Sequence, residues 1–235
     1  MSTKTFAGGL RHIACLGFAV AVCGTAGAQT LFYSGDINNN GFANQINGPF
    51  SGRTFDTFVV NSPLGWNVSS IFSNDIQLFP APNVNTQADW SIRTGMGPGV
   101  GGTIVASGVS SATQTPTGRT VGGATGFIEY TIQVSGLSLI LAPGTYWLQV
   151  TPINGSAQWY NSTTSGTNGI NAVNSNAGLL DSPANGYNYR AMGTDFSMGV
   201  NGTAITPEGS SLAMFALGGL PLAIGFGRKF RRRRA

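Results

Sequence analysis

A chain of 235 residues with only 9% charged side chains and 35 glycines departs from an ordinary soluble domain, where about a quarter of residues are charged and about 7% are glycine. Apolar residues make up 41% and the formal net charge is only +4, so the composition supports a packed core and excludes the charged, weakly hydrophobic class of disordered chains. The positive charge sits at the two ends: between Gln29 and Thr206, four arginines (Arg53, Arg93, Arg119, Arg190) face seven acids, a net −3 with no lysine. A body without a basic stripe gives no expectation of nucleic-acid binding.

In chain order, the first element is an address. Lys4 and Arg11 precede an apolar run, Ile13 to Val22, and small residues follow, ending in Ala26-Gly27-Ala28. A basic start, an apolar stretch and an Ala-x-Ala site define a secretory signal peptide, cleaved by signal peptidase. Cleavage is expected after Ala28, so residues 1–28 leave and Gln29 becomes the new start. Val22 stands where a lipidated Cys23 would need a small residue. Cys15, Cys23 and His12 all fall inside this segment. The mature body then has no disulfide, no cysteine nucleophile, no Ser-His-Asp triad and no His-ligated zinc.

The body, residues 29–205, reads as one all-β domain, an antiparallel sandwich or jelly roll. Its opening carries "DINNNG", in which Asp36, Asn38 and Asn40 precede Gly41 with the spacing of an EF-hand-type calcium loop. The closing position is Asn47 rather than a carboxylate. The motif therefore reads first as an Asx-rich turn and second as a calcium half-site.

Candidate strands follow at "RTFDTFVV", "WNVSSIF", "DIQLF", "ADWSIR", "TIVAS" and "FSMGV", separated by turn clusters "NSPLG", "FPAPN", "GMGPGVGG" and "TQTPTG". In "FIEYTIQV", Ile128, Tyr130, Ile132 and Val134 alternate with Glu129, Thr131 and Gln133, the period of a half-buried strand. "LSLILAPG" and "GTYWLQV" continue the series across a turn at Ala142-Pro143-Gly144. Trp66, Trp90 and Trp147 lie in strand patterns and are expected in the core. The Asn-, Ser- and Gly-rich stretch from Asn161 to Tyr189 is expected as a long surface excursion. Trp159, Tyr160, Tyr187 and Tyr189 flank it. Exposed rings there could stack on carbohydrate, and packing under the loop is the alternative. The acids show no spacing that pairs two of them for glycoside hydrolysis.

The chain closes on "TPEGSSLAMFALGGLPLAIGFGRKFRRRRA", residues 206–235. Leu212 to Gly227 is uncharged for 16 residues, short against the ~20 of a full membrane span. Six basic residues follow it and predict a cytoplasmic end with the body outside. Pro207-Glu208, Ser210-Ser211-Leu212, the apolar run and Arg231, Arg232, Arg233 and Arg234 resemble the PEP-CTERM sorting signal of Gram-negative-type bacteria. Gly209 stands where that signal usually has a second proline. Signals of that type are also labelled an ice-binding protein C-terminal domain, a label that implies nothing about ice. The resemblance implies a transient transmembrane helix in the inner membrane, processing near Pro207-Glu208 by an exosortase-type protease-transpeptidase, and export to the cell surface or exopolysaccharide matrix.

The body is similar to a group of secreted PEP-CTERM proteins, in "LFYSGDINNNG", "ADWSIRTGMGPGVGGTIVASG", "EYTIQVSGLSLILAPGTYWLQVTP" and "DFSMGV". That similarity implies a compact β-sandwich and no assigned activity. The expected role is non-enzymatic and structural or interactive, at the cell surface. A carbohydrate-binding module and a hydrolase are the alternatives.

Overall fold

The computed structural model describes residues 27–47, 51–78, 84–121, 127–153 and 158–206. The signal segment up to Ala26 and the tail from Pro207 onward, including Glu208 and the terminal arginines, lie outside the described residues. Among the described residues, no helix is long and apolar enough to cross a membrane.

The chain is all-β. Its strands are β1 (Gln29–Tyr33), β2 (Ile37–Ala43), β3 (Arg53–Val60), β4 (Trp66–Leu78), β5 (Gln87–Thr94), β6 (Thr103–Thr120), β7 (Phe127–Leu141), β8 (Gly144–Pro152), β9 (Gln158–Thr164), β10 (Leu179–Ser182), β11 (Tyr187–Ala191), β12 (Asp195–Phe196) and β13 (Met198–Ala204). They form one curled antiparallel sheet in the order β1-β13-β4-β7-β6-β5-β8-β3-β10-β11, with β9 joined to β4 and carrying β2 and β12.

Two long strands make the curl. β6 pairs with β5 through Thr103–Ser111 and with β7 through Ala112–Thr120. β4 pairs along its whole length with β7, and on its other side with β13 and then β9. Each therefore hands the sheet from one set of neighbours to the next.

The curl brings apolar faces from distant strands together. Phe58 of β3 lies 5.6 Å from Phe32 of β1, and stacks on Trp66 of β4 and Tyr146 of β8 at 6.1 and 5.5 Å. Val68, Ile71, Ile92, Ile132, Val134, Leu148 and Val150 complete this core. A smaller cluster of Phe55, Met96, Trp147 and Leu179 lies under the β10–β11 hairpin. Trp66, Trp90 and Trp147 are buried as their strand patterns predict.

Several expected boundaries move. "WNVSSIF" and the "DIQL" of the next segment are one strand, because Ser73 and Asn74 between them are buried and paired in the sheet. "FIEYTIQV" and "LSLIL" also fuse. A left-handed Gly136 (φ +76°) sits in the fused strand, beside a register shift between Val68 and Ser70 of β4. "TQTPTG" is not a turn: it lies inside the 18-residue β6. The register slips between Pro116 and Thr120, and Gly118 is left-handed. A proline without a donor is tolerated in a sheet at such a bulge.

The expected face of "FIEYTIQV" holds for Ile132 and Val134, both fully buried, whereas Ile128 is 40% exposed and Glu129 is fully buried. The long excursion is also shorter. Asn161 to Thr164 belong to the buried β9, Leu179 to Ala191 form a hairpin, and only residues 165–178 are irregular.

Gly65 ends the "NSPLG" turn with φ +92°, and a Cβ there would lie 2.1 Å from the Leu141 carbonyl oxygen; Gly136 is also left-handed, with open space around it. An L-residue in the left-handed region costs about 1–2 kcal/mol. Gly136→Ala is expected to lose about that much, and Gly65→Ala clearly more because backbone must also move. Chemical denaturation of the two variants, read by tryptophan fluorescence, checks the ranking.

Candidate functional site

Asn38 and Asn40 of the calcium-like motif lie in strand β2, with Asp36 just before it and Asn39 left-handed at φ 71°. Asp36 accepts hydrogen bonds from the Tyr33 hydroxyl at 2.6 Å, Asn168 Nδ2 at 2.8 Å and Arg119 Nη1 at 2.8 Å. Asn38 accepts from the Thr163 hydroxyl, and Asn40 accepts from the Gly41 amide at 2.8 Å. Each side chain has its own partner. Among the described residues no group of three or more acids, histidines or cysteines is placed to hold a metal. Burial works against the Asp36 charge, but the bonds from Tyr33 and Asn168 and the charge of Arg119 outweigh it and hold the carboxyl below its ordinary range.

The four aromatics go to different places. Trp159 is fully buried, its ring 5.9 Å from Tyr130 in the main core. It has no face free for a sugar, because the apolar side of β9 carries it inward. Tyr160, next along the strand, points the other way. It lines an open, mostly apolar pocket of about 330 Å³ with Asn39, Asn40, Gly41, Ile76, Leu78, Val121 and Phe127. Tyr187 lies under the Arg190 guanidinium at 5.0 Å. Tyr189 takes a left-handed backbone (φ 45°) and packs its ring 5.7 Å from Phe55.

Tyr189 thereby borders a polar groove of about 350 Å³ lined by Arg53, Asp89, Ser91, Arg93, Gln149 and Asp181, with Trp90, Ile104 and Ser107. Strand alternation builds it. Ala88, Trp90 and Ile92 of β5 face the core, so Asp89, Ser91 and Arg93 share the opposite face. Gln149 lies between the core residues Leu148 and Val150 of β8 and adds to that face. The register sets Ser91 opposite both Gln149 and Ser107.

The floor is a continuous hydrogen-bonded chain. Arg93 Nε donates to the Ser91 hydroxyl at 3.1 Å, which donates to Gln149 Oε1 at 2.9 Å. Gln149 Nε2 donates to Asp89 Oδ2 at 3.2 Å, and Arg53 Nε reaches the same oxygen at 2.8 Å. Asp181 lies directly across from Arg53 in the β10–β3 register. Sequence reading passed over these residues because they are scattered over four strands. The polar alternation in "ADWSIR" was their visible signal.

The remaining acids lie mostly inside the molecule. Glu129 accepts from Arg119 Nε, Thr117 Oγ1 at 2.8 Å and Ser162 Oγ at 2.6 Å. Asp56 accepts the Thr57 and Phe196 amides, each at 2.7 Å, and burial with the charge of nearby Asp195 pushes its carboxyl well above the ordinary range. Asp75 is bonded by the Ser73 hydroxyl and by Asn44 Nδ2, at 2.7 Å for the latter, yet burial raises it to about 7. These enclosed acids tie neighbouring segments of the sheet together.

No family model, curated protein or solved structure matches this chain.

Because the folded state holds the Asp75 proton more tightly than the unfolded chain, the contribution of Asp75 to stability is expected to be lost as pH rises from about 4 to about 7. Asp56 adds to the same slope, while Asp36 acts oppositely and only below about pH 4. Asp75→Asn is expected to flatten the pH 4–7 slope. Thermal unfolding of parent and variant across that window checks it; an unchanged slope would assign the dependence elsewhere.

Proposed function

We propose that this protein is an exported, non-enzymatic component of a bacterial cell surface or exopolysaccharide matrix, and that it contacts polysaccharide through the Arg53–Asp89–Arg93–Tyr189 groove. The export half rests on the two terminal segments: Ala26-Gly27-Ala28 for signal peptidase, and Pro207-Glu208, the apolar run and Arg231 to Arg234 for an exosortase-type enzyme at the inner membrane. The curled sheet is best understood as a β-sandwich of jelly-roll type, with β6 as the corner strand. Such a frame suits a mature body without disulfides, because cohesion comes from backbone pairing and apolar packing.

The groove carries the binding half. Its side chains present charged donors and acceptors around one aromatic ring, on a floor whose side chains hold one another in place. Sugars are recognised by such mixed donors and acceptors with an aromatic wall, since each hydroxyl both donates and accepts. With Trp159 in the core, Tyr189 replaces it as the aromatic most suited to contact a glycan.

Two measurements test the reading. Expressed in a host with an exosortase, the mature body is expected to begin at Gln29 and end near Pro207-Glu208 by intact-mass analysis; a surface form that retains residues 206–235 would make the tail an anchor. In co-sedimentation with matrix polysaccharide, Asp89→Asn is expected to weaken retention about tenfold, the scale of a lost charged hydrogen bond, with Tyr160→Ala unchanged. Equal retention of Asp89→Asn and parent overturns the groove assignment.

A further inference from the structure

Arg93 differs from the other groove residues. Among the described residues it has no carboxylate within ion-pair distance, whereas Arg53 has Asp89 and Arg119 has Asp36 and Glu129. It is nonetheless fixed. Nε donates to Ser91, Nη1 donates to the Gly101 carbonyl at 2.9 Å and to the Tyr189 hydroxyl at 3.4 Å, and the guanidinium lies 5.3 Å over the Phe55 ring. Nη2 has no acceptor among the described residues. A half-buried guanidinium held on one side and open on the other is preorganised for a planar anion.

The opposite end of the groove has the complementary character. Asp89 keeps one oxygen without a donor among the described residues, its other oxygen taking Arg53 and Gln149. Asp181, across from Arg53, makes no side-chain hydrogen bond among the described residues. The acids thus gather around Arg53, while Arg93 stands four residues from Asp89 on the same face of β5, about 13 Å along the strand. The groove is polar along its length, with an anion-seeking end and an end that accepts hydrogen bonds.

We propose that the groove binds an acidic sugar chain of the uronate class, its carboxylate on Arg93 and its hydroxyls on Asp89 and Asp181. This rests on the polysaccharide reading above and narrows it to carboxylated glycans. Tyr189 gives the ring wall and fixes Arg93 through its hydroxyl.

The test is calorimetric titration of the purified full chain in detergent with polygalacturonate oligomers, their methyl esters, and dextran of similar length. The acid form is expected to bind at least about tenfold more tightly than its ester. Arg93→Gln is expected to abolish that preference, bringing the acid form down to the affinity of its ester, and Arg93→Lys to keep part of it. Unchanged thermal unfolding of the variants establishes that they are folded, and Asp181→Asn, away from the packed Phe55 ring, is expected to weaken acid and ester alike. Binding of the ester or dextran as tightly as the acid overturns the carboxylate assignment while leaving a glycan site. Loss of acid and ester together in Arg93→Gln overturns it as well. No binding of any of the three overturns both this assignment and the polysaccharide reading.

Discussion

A strand that carries polar residues can be buried only if its neighbours satisfy its backbone and side chains together, and β4 sets that condition for this protein. Along its length it pairs with β7, and on its other edge with β13 and β9. Ser73, Asn74, Asp75 and Gln77 are all buried there. Asn74 accepts from the Thr131 hydroxyl and donates to Ser197, and Asn44, just after β2, closes on Asp75. A buried polar group without a partner costs about as much as several apolar contacts contribute. These pairings therefore hold β7, β9, β13 and the segment after β2 in a single register.

The same constraint separates the acids into two populations. Asp56, Asp75 and Glu129 are fully enclosed and bonded by hydroxyls, amides or Arg119. They brace contacts between strands remote in sequence. Asp89 and Asp181 lie on the outer face, where part of their hydrogen-bonding capacity stays open. A body with few charges thus uses most of its acids as internal ties and keeps a small group at a groove. The groove inherits its rigidity from β5 and β8, whose other faces form the core.

Legibility in the sequence followed interaction range. Alternation is a local property, so "RTFDTFVV", "ADWSIR" and "GTYWLQV" could be read as strands with little error. Breaks were harder. Pro116 and Gly118 signal a turn in isolation, but pairing with β7 absorbs them as a bulge. Glu129 looked like a solvent-facing residue because alternation says which face a side chain takes and not what covers that face; Arg119 and Ser162 cover it. The aromatics show the same limit. Trp159 and Tyr160 are adjacent and similar in chemistry, yet strand geometry sends one into the core and the other to a pocket. Of the groove, only the β5 residues had a local pattern, and Arg53, Gln149, Asp181 and Tyr189 join them through the sheet.

By itself the sequence determined that the body is all-β, that it carries no lysine, histidine or cysteine beyond its ends, and that its basic charge lies in the terminal segments. These follow from composition and short periodicities, which need no knowledge of the partner strand. Tertiary structure decided which polar residues are enclosed, which turn signals become bulges, and which side chains from several strands meet in the groove around Arg93. Those outcomes depend on antiparallel register between segments up to more than a hundred residues apart, such as Leu180 of β10 with Thr54 of β3. A one-residue change of register would turn each of those side chains to the other face.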